Sequence, residues 1–425
     1  MKKVVLIDGC RTPFLRSGTD YMDLMSYQLG QFAIKGLLVK TGLDPTLVDK
    51  VIMGTVISNI KTPNVAREAA ITAGIPSSTP CHTVSLACIS ANRAIADGCL
   101  EIMTGQADII VAGGVDNTSD TPIQFRKEMR KKLFKAQKIK GLGDSLKFLL
   151  SLRPKDFAPE RPKVAEYSTN RVMGEDCDIM AARFQISREA QDEFAVRSHH
   201  LAAKAQAEGH LAEEMVEVAV PPKFKPISSD NGIRANTSME KVKKLRPAFD
   251  KKFGTLTAAN SSFLTDGAAA CLIMSEEKAK ELGLQPKAEV VDFVFTGQSL
   301  ENELLLGPTY AVSKLLKKTG MTLNDMDVIE FHEAFAGQIL SNLKALSSDE
   351  FARENLDRDN AVGQVDMDKF NLWGGSLSIG HPFGATGARI MTTTANRLIK
   401  EGGTYGLLAA CAAGAHGHAM ILKRV

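Results

Sequence analysis

Two cysteines and two histidines stand on loops rich in glycine, alanine and serine, and their chemistry suits acyl or proton transfer. Cys88 lies in Ser85-Leu86-Ala87-Cys88-Ile89-Ser90-Ala91-Asn92-Arg93-Ala94, where a turn of small residues leads into a helix expected to run to about Gly98. Unpaired N–H groups at a helix N-terminus favour a thiolate, so this thiol is expected to ionise roughly one unit or more below an ordinary cysteine. A buried structural cysteine fits that motif alone equally well. His381 lies in Gly374-Gly375-Ser376-Leu377-Ser378-Ile379-Gly380-His381-Pro382-Phe383-Gly384-Ala385-Thr386-Gly387, again ahead of a helix. Its glycines permit tight turning and close approach to a ligand. No G-x-x-x-x-G-K-[ST] pattern is present, so a nucleotide-phosphate loop has little support.

His332 opens His332-Glu333-Ala334-Phe335 at the end of a buried-strand run, where the loops of α/β sheets gather functional groups. A hydrogen-bonded core histidine is the plainer alternative. Cys411 opens Cys411-Ala412-Ala413-Gly414-Ala415-His416-Gly417-His418, just past the strand-like Gly406–Ala410. Packed together, the four groups would form one site. Their spacings lack the paired ligands of a structural zinc centre, and no metal is expected.

The elements that must hold these groups occur twice. Lys40-Thr41-Gly42 ends a helix-like stretch and leads into Leu47–Gly54; Lys318-Thr319-Gly320 does the same ahead of Met326–Phe331. Each half then has a further helix and a buried-strand run, Ile109–Gly114 and Gly406–Ala410. Alternating helices and short apolar strands predict an α/β fold with a sheet covered on both faces, built from two similar halves. The first half is expected over 1–120 and 251–280 and the second over 281–425. Between them, 121–250 is polar and mostly helix-like, with an N-cap at Ser187, and reads as an inserted loop domain folded over the first half.

Charge is concentrated in that insertion. From Ile123 to Lys155 there are eleven Lys and Arg against two acids, while the whole chain of 425 residues carries only +3. Phe125, Met129, Leu133, Phe134 and Ile139 recur as on one helical face, followed by Leu146, Phe148, Leu149, Leu150 and Leu152. Such a basic amphipathic segment, 125–155, suits an anionic membrane surface or an acidic partner; a solvated face attracting phosphates fits as well. No nucleic-acid partner is expected. The seven cysteines include no C-x-x-C pair, which favours reduced thiols over a disulfide framework. No apolar run approaches the roughly 20 residues of a bilayer span. A cytoplasmic protein is expected, or a mitochondrial one from which a transit peptide has been removed.

Gly380-His381-Pro382-x-Gly384-x-Thr386-Gly387 and the Cys411–Gly414 loop resemble signatures of the thiolase family. Asn260-Ser261-Ser262-x-x-x-Asp266-Gly267-Ala268 is similar to the family's stretch closing the first half, and Met173-Gly174 with Ile186-Ser187-Arg188 to its loop domain. The resemblance covers essentially the whole chain and implies the thiolase fold, two α/β halves packed as αβαβα layers with a mainly helical loop domain. His332 stands where most of the family has Asn, and the basic segment is long. Both features look like the branch serving fatty-acid oxidation, which holds the trifunctional-enzyme β-subunit and related bacterial thiolases.

That resemblance implies a 3-ketoacyl-CoA thiolase. Cys88 would be the nucleophile, His381 its base, His381 and His332 the stabilisers of an enolate, and Cys411 the second acid and base. The N–H groups of Cys88 and Ala413 would hold the oxyanion; Ser262, Met173 and Phe335 would contact CoA. CoA is then a substrate, and no cofactor is implied. The expected partners are copies of this chain, as a dimer or a dimer of dimers, and a hydratase/dehydrogenase α-subunit. A biosynthetic acetoacetyl-CoA thiolase and an inactive acyl-CoA-binding scaffold are the alternatives. A decarboxylating condensing enzyme is more distant, because such enzymes lack a second cysteine like Cys411.

Overall fold

A computed structural model describes residues 1–160 and 165–425. The chain divides into two compact units, 1–120 with 173–425, and 121–172. Among the described residues ten strands build the main sheet of the first, nine of them along one hydrogen-bonded path: β1 Val4–Arg11, β2 Lys50–Gly54, β3 Cys81–Val84, β4 Ile109–Asp116, β5 Thr265–Ser275, β6 Ala288–Gly297, β7 Val328–Phe331, β8 Tyr405–Ala412 and β9 His416–Arg424; the tenth, Leu15–Arg16, pairs off that path with β5. The helices that matter, in chain order, are α1 Ser26–Thr41, α2 Val65–Ala73, α3 Ser90–Met103, α4 Lys127–Ala136, α5 Leu142–Ser151, α6 Met173–Arg183, α7 Arg188–Ala207, α8 Gly307–Thr319, α9 Ala336–Leu346 and α10 Thr386–Glu401.

The strands follow the order β7-β8-β9-β6-β1-β5-β4-β2-β3, and the duplication read from the sequence is visible in it. From the middle outward, β1 pairs antiparallel with β5 and β5 with β4, then β4 parallel with β2 and β2 with β3. The second half repeats this as β6, β9, β8 and β7, ending in a single parallel bridge from Ile329 to Phe370. Matching register breaks fall between Leu6 and Asp8 and between Val290 and Asp292. Each aspartate meets the lysine ending the following helix: Lys40–Asp8 at 3.0 Å and Lys318–Asp292 at 2.7 Å. These half-exposed pairs contribute little stability; they mark equivalent positions. The halves join where β1 and β6 pair through Val5–Glu289 and Leu6–Ala288.

Strand β4 is buried at every residue, as a sheet covered on both faces requires. Helices α1 and α2 pack on one face of the first half and α8 and α9 beside the second, each over its own apolar cluster. Helices α3 and α10 pack on each other, α3 against β2 and β4 and α10 against strands of both halves, within a third cluster. Helix α10 is buried at every residue from Thr386 to Leu398, the pattern of a helix enclosed on all sides. The result is the αβαβα layering. It demands close approach in the middle: a Cβ on Gly114 would lie 1.9 Å from the Gly384 carbonyl, and one on Gly387 would lie 2.1 Å from Asn92 Oδ1.

The polar stretch after residue 172 begins its long helix as expected, with Ser187 Oγ accepting from Ala190 N–H at 3.1 Å. Its packing differs from expectation. Helices α6 and α7 lie against α9 and the short helix Ser376–Ile379, which belong to the second half rather than the first. Polar satisfaction explains the choice. Ser198 Oγ donates to the buried Glu333 carboxylate at 2.7 Å, and Arg197 Nη2 to the carbonyls of Met367 and Phe370 at 2.7 and 2.8 Å.

In the second unit, Gln124–Phe125 pairs with Pro159–Glu160, and Lys132 meets Asp156 at 2.6 Å. The basic segment forms two helices, α4 and α5, interrupted before Gly141. Along α5, Leu142, Leu146, Leu149 and Leu150 are exposed and fall on one helical face.

Candidate active site

Cys88 sits in the turn before α3 rather than inside it. Ala87 takes a left-handed backbone, φ 45°, which an alanine adopts only where its surroundings impose it. Ser90 clamps the turn: its hydroxyl donates to the Ala87 carbonyl at 2.7 Å and accepts from Leu86 N–H at 2.8 Å. The sulfur also receives the backbone N–H groups of Ala413 and of Cys88 itself.

The second half supplies the other groups. His332 follows β7, its N–H donating to the Ala409 carbonyl at 2.8 Å. His381 is anchored by its own N–H, which donates to Thr265 Oγ1 at 3.0 Å. The two imidazole rings lie 4.0 Å apart. One ligating atom from each of Cys88, His332 and His381 lies within 4.8 Å of the others. Both Nδ1 atoms are engaged, His332 with Ser376 Oγ at 2.9 Å and His381 with Thr386 Oγ1 at 2.7 Å. Both Nε2 atoms are buried and lack a hydrogen-bond partner among the described residues. Thr386 fixes the tautomer of His381. Its hydroxyl donates to the Pro382 carbonyl at 2.9 Å, so it can only accept from His381 Nδ1–H, which leaves Nε2 as a bare lone pair.

Asp116 ties the halves together at this point. Its carboxylate accepts from Thr55 Oγ1 and from the N–H groups of Val56 and Ile57 in the first half, and from Gly384 N–H at 2.6 Å in the second. Burial lifts its pKa to about 6 against those donors.

The expected low pKa of Cys88 is not what this setting produces. Desolvation pushes the thiol up to about 11, the nearby Asp116 charge adds to that, and the two N–H groups only partly offset it. A site enclosed between the two halves costs a thiolate more than one turn's N–H groups return. Cys411 is raised well above the ordinary range by burial and then by Cys88, so the two thiols oppose each other's ionisation. Burial and the Arg389 guanidinium push His381 down to about 3; burial, His381 and Arg389 push His332 well below its usual value. At neutral pH the site therefore holds two thiols and two neutral imidazoles. A thiol and two imidazoles so close could also ligate a soft divalent ion.

Met173, Phe335 and Cys411 belong to one apolar cluster, with the Phe335 ring edge-on to Phe249. Ser262 is half-buried, and its N–H donates to the Ala334 carbonyl at 2.9 Å. A cavity of about 180 Å³ lies beside Phe263 and Leu377, lined also by Arg16, His199, Arg234 and Lys241. Arg16 stacks on the Phe263 ring at 3.9 Å, and burial with Arg234 and Arg16 lowers His199 to about 4. The sequence reading missed this cationic cavity, together with Ser376, Thr386, Arg389 and Asp116. Ser376 and Thr386 were visible inside the His381 motif, but nothing in their spacing says which histidine each one meets.

Family comparison covers the chain: the N-terminal domain of thiolase matches residues 4–277 and its C-terminal domain 284–424. The mitochondrial trifunctional enzyme subunit beta of Homo sapiens is 54% identical over 423 residues, covering 100% of this chain and 89% of the relative. Among solved structures, human mitochondrial 3-ketoacyl-CoA thiolase superposes with a TM-score of 0.84 at 31% identity, covering 100% of this chain and 99% of that one. The Bacillus anthracis acetyl-CoA acetyltransferase superposes at 0.85 and 30% identity, with the same coverage.

The raised thiol predicts the pH dependence of Cys88 alkylation. Iodoacetamide labelling of Cys88, followed by peptide mass spectrometry, should accelerate continuously from neutral pH towards 10 as the thiolate fraction grows. A rate already level below pH 7 would show a resting thiolate and contradict the electrostatics above.

Proposed function

The chain belongs to the thiolase family, and we propose that it is a 3-ketoacyl-CoA thiolase of fatty-acid β-oxidation, cutting acetyl-CoA from a 3-ketoacyl-CoA and passing the shortened acyl group to CoA. The observation that carries this reading is the meeting of the Cys88 thiol with two imidazoles whose Nε2 atoms are otherwise unengaged. His381 Nε2 takes the Cys88 proton as the sulfur attacks the C3 carbonyl, so charge appears only as the bond forms. The C3 oxyanion is held by the N–H groups of Cys88 and Ala413. Collapse breaks the C2–C3 bond and leaves the enolate of acetyl-CoA, whose oxygen receives hydrogen bonds from His332 and the now protonated His381. Cys411 delivers its proton to C2. The incoming CoA thiol returns a proton to Cys411, its sulfur attacks the acyl-Cys88 carbonyl, and Cys88 leaves and recovers its proton from His381.

Met173, Phe335 and Ser262 suit the pantetheine arm, and Arg16, Arg234 and Lys241 the phosphates. The scheme needs no metal; an ion held by Cys88 and both histidines would occupy the nucleophile and the base together. A biosynthetic acetoacetyl-CoA thiolase would use the same residues in reverse. The degradative direction is supported by the relatives' names and by His332. The relatives' mitochondrial designation favours a compartment of fatty-acid oxidation, and their designation as a subunit favours an assembly with a hydratase/dehydrogenase partner that supplies the 3-ketoacyl-CoA.

Incubation with a 3-ketoacyl-CoA and a metal chelator, without CoA, should leave the acyl group on Cys88 by mass spectrometry, and Cys88→Ala should abolish both adduct and turnover. Cys411→Ala should still accept an acyl group from a reactive donor but exchange it slowly. An adduct on any other cysteine, or one blocked by the chelator, overturns these roles.

The segment 125–155 supports a second element of the proposal, contact with an anionic membrane surface. Its leucine face on α5 is exposed, and its basic residues lie in the same stretch of chain. Among the described residues no helix is long and apolar enough to cross a membrane, so the contact is peripheral. Flotation with anionic liposomes should carry the protein at low salt and release it at high salt. Failure to float at low salt, with binding instead to a hydratase/dehydrogenase subunit, assigns the face to a protein partner.

A further inference from the structure

The two imidazoles of the site carry different hydrogen-bond instructions. His381 is held by Thr386 with its proton on Nδ1, which suits a base. The surroundings of His332 point the other way. Ser376 Oγ lies 2.9 Å from His332 Nδ1 and accepts from Arg389 Nη2 at 3.3 Å. Among the described residues, the only acceptor within reach of the Ser376 proton is His332 Nδ1. A proton on Nδ1 would aim two donors at one hydroxyl oxygen and strand the buried hydroxyl proton. The arrangement satisfying the serine hydroxyl runs from Arg389 N–H to Ser376 Oγ, from Ser376 O–H to His332 Nδ1, and leaves the proton on Nε2, which has no partner among the described residues. Arg389 itself is almost wholly buried, and its Nε and Nη1 lack partners among the described residues. A guanidinium so poorly satisfied is costly to keep; among the described residues its one side-chain hydrogen bond goes to this serine, and its charge adds to the burial that keeps both imidazoles neutral.

We propose that Ser376 and Arg389 are positioning residues that lock His332 as a neutral Nε2–H donor, complementary to the Nε2 base of His381. The site then has a hydrogen-bond donor for the enolate oxygen before any proton moves, and cannot use His332 as a competing base for Cys88. This rests on the thiolase reading of His332 and adds to it what sets the tautomer.

The test is a double-mutant cycle on thiolysis of a 3-ketoacyl-CoA at saturating CoA, with Ser376→Ala, His332→Ala, the double variant and Ser376→Thr. Ser376→Ala should lower kcat roughly tenfold or more, less than the 10²–10³-fold typical of losing an oxyanion donor outright. KM should stay within about twofold, since a tautomer matters chiefly in the transition state. Ser376→Thr, which keeps the hydroxyl, should recover most of the rate, and the double variant should be no slower than His332→Ala. A full kcat in Ser376→Ala beside a crippled His332→Ala overturns the proposal and leaves the thiolase role of His332 intact. Multiplying losses in the double variant also overturn it, because Ser376 would then act by another route. A silent His332→Ala removes the His332 reading and this proposal with it. Should Ser376→Ala fail to fold, Ser376→Cys, of similar size but a weaker donor, is read by the same criteria.

Discussion

The structure depends on one constraint: groups from two halves of a duplicated chain must meet within a few ångströms in the middle of five layers. Cys88 comes from the first half, His332, His381 and Cys411 from the second. At two of the close approaches there is no room for a side chain. The Gly384 carbonyl already occupies the space a Cβ on Gly114 would need, and Asn92 that of a Cβ on Gly387. Asp116 fastens the contact by accepting hydrogen bonds from both halves. Burial of α10 at every residue from Thr386 to Leu398 follows from the same demand, because the helices behind these loops form the middle layer, and α3 buries the face it turns to α10.

The same burial sets the electrostatics. Enclosing the loops removes the water that would support charge, so both thiols rise and both histidines fall. A neutral resting site loses the standing thiolate of a helix N-terminus. It gains proton transfer coupled to attack, with N–H groups already placed for the oxyanion that appears and no solvent shell to rearrange. The tautomers matter for that reason: in a neutral site, which nitrogen bears the proton decides which imidazole receives and which donates.

Much of this was legible in the sequence where the signal is local. The four loops, the apolar runs β4 and β8, the repeated Lys-Thr-Gly helix ends and the Ser187 cap all depend on neighbours within a few residues. The duplication runs deeper than those runs suggest, down to paired register breaks at Asp8 and Asp292, which no spacing announces. The sense of the Cys88 shift was misread because a helix terminus can be read from a motif while depth of burial cannot. The helices after residue 172 were assigned to the wrong half for a like reason: their position is fixed by Glu333, Met367 and Phe370, more than a hundred residues away. Ser376, Thr386 and Arg389 gain meaning only when β7 and α10 are side by side.

The most direct measurement is a crystal structure of the Cys88→Ala enzyme with an intact 3-ketoacyl-CoA. The C3 carbon is predicted to lie against residue 88, with its oxygen within hydrogen-bond reach of the N–H groups of residues 88 and 413. The thioester oxygen is predicted to face His332 Nε2 and His381 Nε2. A substrate whose thioester oxygen lies away from both histidines, or whose C3 carbonyl misses the Ala413 N–H, would contradict the account.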